Sequence, residues 1–292
     1  MKTYGKDVRT AYLLVAPVVF LSIVFFFFPV IYSFILGFYD WNLLNVPLFI
    51  GFKNFSNLFA SGYFRETLFN TLIYSVGLLL LLMVFGLLFA LILNKPGKFS
   101  QTLQSCIFSS YLVSWVTIGL LWVWMLDPQY GLVNTILNVF GIHGKDWLGD
   151  VDTALITIII VSAWKMVGYP MIIFLSGLRT IPDDLYQAAS IDGANQVQKF
   201  VHITWPLLSP TTLFLFITML ITSFQGFDIV KLMTQGGPVH ATTIYVYYIY
   251  EQAFMHSMRL GYASAAVTIF FIIILALTLF QYKVMSKRVH YQ

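Results

Sequence analysis

Long apolar runs alternate with short polar ones along this chain of 292 residues. A helix needs about 20 apolar residues to cross a bilayer. Six runs qualify: Ala11–Phe38, Leu68–Leu93, Ile107–Met125, Thr153–Leu178, Leu207–Phe227 and Tyr262–Tyr282. Between the fourth and fifth lies a polar interruption, Pro182–Pro206, which reads PDDLYQAASIDGANQVQKFVHITWP. A polar stretch of that length between two membrane-type segments has to sit in water, and its pattern predicts a helix-turn-helix. Asp183 and Asp184 follow Pro182, placed at a first helical position, where acids favour a helix start. Leu185, Ala188 and Ala189 then supply a small apolar face at i, i+3, i+4 spacing. Asp192-Gly193 ends that helix, and Asn195 with Gln198 three residues on has the form of a capping box that begins another. A further stretch, Thr243–Phe254 (TIYVYYIYEQAF), is too short and too rich in tyrosine for a seventh span. It predicts an external interfacial helix, entered through the tight turn Gly236-Gly237-Pro238.

Composition sharpens the class. Charged residues are 10% of the chain, aromatics 18%, and mean hydropathy is +0.82. Soluble domains carry about 25% charged residues, so this is an integral membrane protein, read as a single transmembrane domain over residues 1–292. Cys106 is the only cysteine and allows no internal disulfide. Lys2, Lys6 and Arg9 precede the first apolar run, but that run is too long for a signal-peptide core and has no small-residue cleavage site. It reads as a retained first span.

Six spans put both termini on one side, and Lys and Arg choose which. With the N-terminus cytoplasmic, the inner segments hold ten of the sixteen basic residues: Lys2, Lys6 and Arg9; Lys95, Lys98, Arg179 and Lys199; and Lys283, Lys287 and Arg288. The outer segments hold five, Lys53, Arg65, Lys145, Lys231 and Arg259, and Lys165 falls inside a span. Both termini and the Pro182–Pro206 stretch are therefore expected to be cytoplasmic. Trp41, Trp122, Trp124 and Trp147 fall near outer boundaries and Trp205 near an inner one, as interfacial aromatic belts do.

Several chemistries are missing from the sequence. It contains no G-x-x-x-x-G-K-[ST] to cradle a nucleotide, no H-E-x-x-H and no G-x-S-x-G. The histidines (143, 202, 240, 256 and 290) are scattered at no ligand spacing. One ionisable side chain, Lys165, lies well inside a predicted span, whereas an ion-coupled carrier would bury several carboxylates or a broken-helix ion site. The reading is a non-enzyme without cofactor or metal and with no nucleic-acid partner. Any uphill transport must draw its energy from another protein.

Within Pro182–Pro206, the run Tyr186-Gln187-Ala188-Ala189-Ser190-Ile191-Asp192-Gly193-Ala194, followed by Phe200 and Pro206, resembles the EAA motif of permease subunits of bacterial ABC importers. The chain departs from the motif at Gln187, where the family usually has Glu, keeping size and hydrogen bonding but losing the charge. The likeness extends to the carbohydrate-uptake branch. It includes Phe49–Phe55 and Asn70-Thr71, Asp127 with Tyr130-Gly131-Leu132-Val133-Asn134, Trp164-Lys165, Leu178–Pro182, Thr234–Pro238 and Gly261–Ala265. Gly237–Val239 with Thr242-Thr243, and the ending Ser286–Gln292, resemble the glycerol-3-phosphate members.

The resemblance implies an all-α membrane protein, six transmembrane helices in the type I ABC importer permease fold. Its permease core spans residues 68–283 and residues 182–206 form the cytoplasmic coupling loop. It also implies residence in the bacterial cell membrane and three partners. These are a second, homologous permease subunit in a heterodimer, a homodimeric cytoplasmic ATPase, and an extracytoplasmic solute-binding protein. Tyr186, Gln187, Ala188, Ala189, Asp192, Gly193 and Ala194 would couple to the ATPase. The expected function is import of a sugar or sugar-like solute, and the alternatives are the same class of importer for glycerol-3-phosphate or a self-contained channel or secondary carrier.

A sugar pathway needs hydroxyl-competent groups and aromatic platforms. Trp164, Tyr169, Ser223, Gln225 and Asp228 are the lining candidates, and Lys165 is a candidate solute or gating contact. For each, helix–helix hydrogen bonding is the structural alternative; for Lys165 it is snorkelling or a backbone carbonyl partner. The cluster Tyr245–Tyr250 reads as interfacial anchoring or as a face for the binding protein.

Overall fold

The structure is a computed structural model that describes residues 4–255 and 258–285. Lys2, His256 and the ending Ser286–Gln292, with Lys287 and Arg288, lie outside the described residues. Among the described residues, three helices are long and apolar enough to cross a bilayer: Thr10–Leu36, Gly62–Leu93 and Leu260–Lys283. Three bent pairs make up the rest of the expected six spans. They are Lys98–Leu112 with Trp115–Met125, Val151–Met166 with Gly168–Arg179, and Gln196–Leu207 with Ser209–Ser223, bent by 99°, 46° and 64°.

The bends are the main departure from the hydropathy reading: the first two interrupt runs it drew as single spans, and the third falls where the polar interruption meets the fifth run. In the third span Val113 and Ser114 are extended, and Ser114 Oγ accepts from the Val116 amide as the cap of the second helix. A capping serine offers the backbone an alternative to continuing the helix. In the fifth span Pro210 begins the second helix, where its missing N–H costs nothing. Prolines also explain two π-helical turns, Ile23–Phe27 and Phe200–Thr204. Each ends two residues before a proline, Pro29 or Pro206, whose ring crowds the carbonyl four residues back and shifts the hydrogen bonds by one position.

The chain forms two compact units, Met1–Gly62 with Ile249–Ile273, and Tyr63–Tyr248 with Ile274–Gln292. The first unit contains the N-terminal span, a two-stranded antiparallel ribbon pairing Tyr39 with Phe49, and the helix Lys53–Ala60. Buried Asn54 fastens it, its Nδ2 donating to the carbonyls of Gly37 (3.0 Å) and Tyr39 (2.9 Å). No part of the most apolar window of the N-terminal span is buried. That surface requires an apolar solvent such as lipid or a partner helix.

The second unit contains the central spans and the polar interruption. Its loops account for many of the residues that stood out in the sequence. Asp127 Oδ1 accepts from the amides of Gln129 and Tyr130, closing the turn that ends the third span. Asn134 accepts from Trp147 Nε1 at 2.7 Å and donates to the carbonyls of Lys145 and Pro128. The tyrosines of the helix Tyr245–Phe254 correct the interfacial reading. Tyr245, Tyr247 and Tyr248 are buried. The Tyr245 amide donates to Thr71 Oγ1 at 2.8 Å, Tyr247 Oη donates to the Gln235 carbonyl, and the Tyr245 ring meets Phe64 edge-on. Their hydroxyls and amides satisfy loop backbone and side chains, so this face is occupied by the chain itself.

Candidate functional site

The polar interruption folds as a hairpin whose every turn is locally dictated. Pro182 is the cap, extended at φ −62° and ψ 133°, one residue earlier than expected. The helix is Asp183–Ile191, with Asp183 and Asp184 in its first turn. It ends in a Schellman motif: Gly193 is left-handed at φ +79°, its amide reaches the Ser190 carbonyl, and the Ala194 amide reaches Ala189. The left-handed residue selects glycine, and the motif places Ala189 beside Ala194. The spacing of Ala188-Ala189 to Asp192-Gly193-Ala194 is thus that of a capped helix end.

Asn195 then opens the second helix with both halves of a capping box, Oδ1 accepting from the Gln198 amide and Gln198 Oε1 from the Asn195 amide. Replacing Asn195 by alanine is expected to cost about 1 kcal/mol. Amide hydrogen exchange over residues 195–199 should then quicken about fivefold, with the spans unaffected.

Two further bonds tie the arms of the hairpin. Tyr186 Oη lies 2.9 Å from Thr204 Oγ1, and Lys199 Nζ donates to Ser190 Oγ at 2.6 Å. Ala189, Gly193, Gln198 and His202 line a notch of about 300 Å³ between the arms. Gln187 and Ala188 are exposed, and so are Ile191 (87%) and Val197 (71%) at the tip.

The second feature is a cavity of about 600 Å³ among the central spans. Tyr74 reaches it from the second span, its hydroxyl 2.9 Å from Ser162 Oγ. Tyr111, Ser114 and Trp115 reach it from the break of the third. Lys165 comes from the fourth, and Thr222, Gln225 and Asp228 from the end of the fifth and the link beyond it. Gly226 permits this closeness, since a Cβ there would lie 2.7 Å from the Tyr74 ring.

Lys165 is only 3% exposed. Its Nζ donates to the carbonyls of Tyr111 (3.0 Å) and Ser110 (3.5 Å) and lies 4.7 Å from the centre of the Trp115 ring. Those carbonyls belong to the last turn of a helix that stops at Val113, so they have no intrahelical partner. Ser110 Oγ returns a bond to the Lys165 carbonyl at 3.2 Å.

Of the six residues expected along a pathway, the structure brings Lys165, Gln225 and Asp228 to this cavity. The other three lie elsewhere. Trp164 faces an apolar groove with Phe85, Phe89 and Ile160 and meets Trp122 edge-on. Tyr169 stacks on Tyr111 at 5.4 Å, and Ser223 is fully buried with Oγ bonded to the Leu220 carbonyl. Sequence reasoning passed over Tyr74, Tyr111, Ser114 and Trp115. A Ser-Trp pair inside an apolar run was the one available signal, marking the break that opens the cavity.

Known proteins share both the sequence pattern and this architecture. The family model described as "Binding-protein-dependent transport system inner membrane component" matches residues 82–291. The sn-glycerol-3-phosphate transport system permease protein UgpA of Rhizobium meliloti (strain 1021) is 36% identical over 284 residues, covering 96% of each chain. A chain from the crystal structure of a bacterial ABC transporter involved in the import of the acidic polysaccharide alginate superposes with a TM-score of 0.85 at 26% identity, over 97% of this chain and 98% of that one. A second structure holds the alginate transporter in complex with its alginate pentasaccharide-bound periplasmic protein. It gives a TM-score of 0.84 at 27% identity, over 97% of this chain and 96% of that one. A hydropathy pattern of six spans, an EAA-type hairpin closed by a Schellman glycine, and a full-length match in both sequence and fold agree: this chain belongs to the binding-protein-dependent transport system inner membrane components and has the ABC importer permease fold.

Proposed function

We propose that this chain is the transmembrane subunit of an ATP-driven importer for a sugar or sugar-like solute in a bacterial inner membrane. It would pair with a second, homologous permease subunit, a homodimeric cytoplasmic ATPase and an extracytoplasmic solute-binding protein. The observation that carries this reading is the hairpin of residues 182–206. It is rigid by its own caps and cross-links yet leaves Ile191 and Val197 uncovered by the rest of the chain. Apolar side chains at the tip of a folded polar loop mark a partner surface.

Rigidity gives the hairpin its use. It continues into the fourth span through Leu178–Pro182 and into the fifth through the bent helix Gln196–Leu207. Closure of the ATPase dimer on ATP would move it as one body and tilt both spans, switching the bundle from inward-facing to outward-facing. The cavity supports a polyol solute: Tyr74, Tyr111 and Trp115 offer ring faces, while Ser114, Thr222, Gln225 and Asp228 offer donors and acceptors for hydroxyls. The relatives' named solutes, sn-glycerol-3-phosphate and alginate, are of that hydroxyl-rich kind.

The test is purification from native membrane. An ATPase should come down with the chain, and Ile191→Asp with Val197→Asp should reduce its recovery at least tenfold while leaving the permease folded. A chain that transports by itself in liposomes would sink the proposal.

A further inference from the structure

The first unit carries an apolar patch that its own core leaves uncovered. It lies on the two-stranded ribbon that follows the first span and on the loop joining the two strands. Leu43, Leu44, Val46, Leu48, Phe49 and Phe52 are all exposed there, Leu44 by 84% and Val46 by 87%. No charged residue lies between Asp40 and Lys53. Single apolar side chains on a surface are ordinary, but a contiguous uncharged group of them marks contact with an apolar partner.

The base of the ribbon is held at the level where two spans end. The first span stops at Leu36, and the Gly261 amide, at the start of the last, donates to the Trp41 carbonyl at 3.2 Å. A Cβ on Gly261 would run into the Tyr39 carbonyl oxygen, so glycine is what lets the ribbon sit this close.

The loop's backbone also suits a medium without water. Asn42 Oδ1 accepts from the amides of Leu44 (3.2 Å) and Asn45 (3.0 Å), the Ile50 amide donates to the Phe38 carbonyl at 2.9 Å, and Pro47 has no amide to satisfy. In hydrocarbon an N–H without an internal partner is costly. The outward rings are fixed from behind: Phe49 meets Tyr39 edge-on at 5.3 Å and Phe52 meets Phe38 edge-on at 5.1 Å.

We propose that this ribbon tip is a membrane foot. Leu43, Leu44, Val46 and Leu48 enter the outer leaflet beside the first span and fix the depth of the ribbon base, and with it the outer ends of the first and last spans. The outer side follows from the cytoplasmic N-terminus, and the inference holds whatever solute or ATPase the chain serves. Lipid fits better than a protein partner. The patch continues directly from a span whose most apolar window is wholly unburied and already requires an apolar solvent. A docking face for a soluble protein is bared to water at each dissociation, and such faces are about as polar as the rest of a surface. This one has no charge, and Trp41 at its edge is the residue type of a headgroup boundary.

The experiment measures depth by nitroxide accessibility. Cys106, the only cysteine, is changed to Ser, and Leu44→Cys or Val46→Cys then carries a single nitroxide. The chain is kept with the subunits that copurify with it, in nanodiscs of phosphatidylethanolamine and phosphatidylglycerol. Oxygen concentrates in lipid and a nickel chelate in water, and neither reaches a nitroxide sealed in a protein interface. At both positions collisions with oxygen are expected to outnumber those with the chelate at least fivefold. The order should reverse at Asn57→Cys, exposed one turn from Lys53 on the helix Lys53–Ala60.

Chelate access at Val46 as high as at Asn57 would place the tip in water and overturn the proposal. Protection from both reagents would overturn it too, by assigning the patch to a protein such as the mate permease or the binding protein. Each labelled position decides by itself if the other does not assemble.

Discussion

Substituting Gly193 by valine is expected to abolish ATP-driven uptake while leaving the permease folded. Gly193 sits at φ +79° as the left-handed residue of the Schellman cap, and a Cβ there meets nothing within 4 Å. Inside this chain the substitution therefore carries only a dihedral penalty, about 1–2 kcal/mol for an L-residue in the left-handed region and more for a β-branched one. A penalty of that size deforms the turn without unfolding six spans. The open space is where the proposed ATPase docks, so the cost falls on assembly and coupling. Uptake should drop at least tenfold, read beside ATPase recovery and the melting temperature of the solubilised permease.

Asparagine tolerates the left-handed conformation and separates two causes. If Gly193→Asn transports normally, backbone strain explains the valine phenotype. If it fails as valine does, close approach of the partner is the reason. Wild-type uptake by Gly193→Val would refute the coupling role of the cap.

Gly168 should be the least forgiving glycine for stability. A Cβ there would lie 2.7 Å from Phe108 Cα and 2.8 Å from the Ile107 carbonyl oxygen, so it meets backbone rather than a side chain able to rotate away. This contact clamps the break in the fourth span onto the last turns of the helix Lys98–Leu112. Prising the two apart would stretch the bonds of Lys165 Nζ to Tyr111 and of Ser110 Oγ to the Lys165 carbonyl.

Overpacking costs about 1–3 kcal/mol, and each buried carbonyl left without a donor adds about 1–3 kcal/mol. Gly168→Ala should lower the melting temperature of the detergent-solubilised protein, and Gly168→Leu should eliminate the folded form on size exclusion. Gly62 has nothing within 4 Å of its would-be Cβ, so Gly62→Ala serves as a control with little effect. Wild-type melting by Gly168→Leu would show that the clamp does not exist.

Legibility in the sequence followed the range of the physics involved. Span count depends on transferring side chains to an apolar medium, a sum over local composition, and six runs were visible in it. The hairpin of residues 182–206 was visible because its determinants lie within a few residues of one another: Asp192-Gly193-Ala194 closing on Ala189, and Asn195 pairing with Gln198. Pro182 was misplaced by one position, since a proline is as acceptable before a helix as at its first residue. The tyrosines of Tyr245–Phe254 misled because an amphipathic ring suits an interface as well as a buried hydroxyl contact, and composition does not say which partner is near.

The sequence alone determined the class of protein, the number of spans, the hairpin and a short set of polar residues in apolar surroundings, because each follows from composition or from local hydrogen bonding. Tertiary structure alone decided where the spans break and which side chains share a cavity. Trp164 and Lys165 are adjacent, yet successive residues on a helix point about 100° apart. One therefore faces an apolar groove while the other enters a polar cavity. Hydropathy is blind to that direction, and to the 99° turn at Val113-Ser114 that brings Tyr111 and Trp115 beside Lys165. The bend leaves the last carbonyls of a helix without intrahelical partners. A lysine 55 residues along the chain from one of them, Ser110, supplies donors, a pairing that only the packing of one span against another can make.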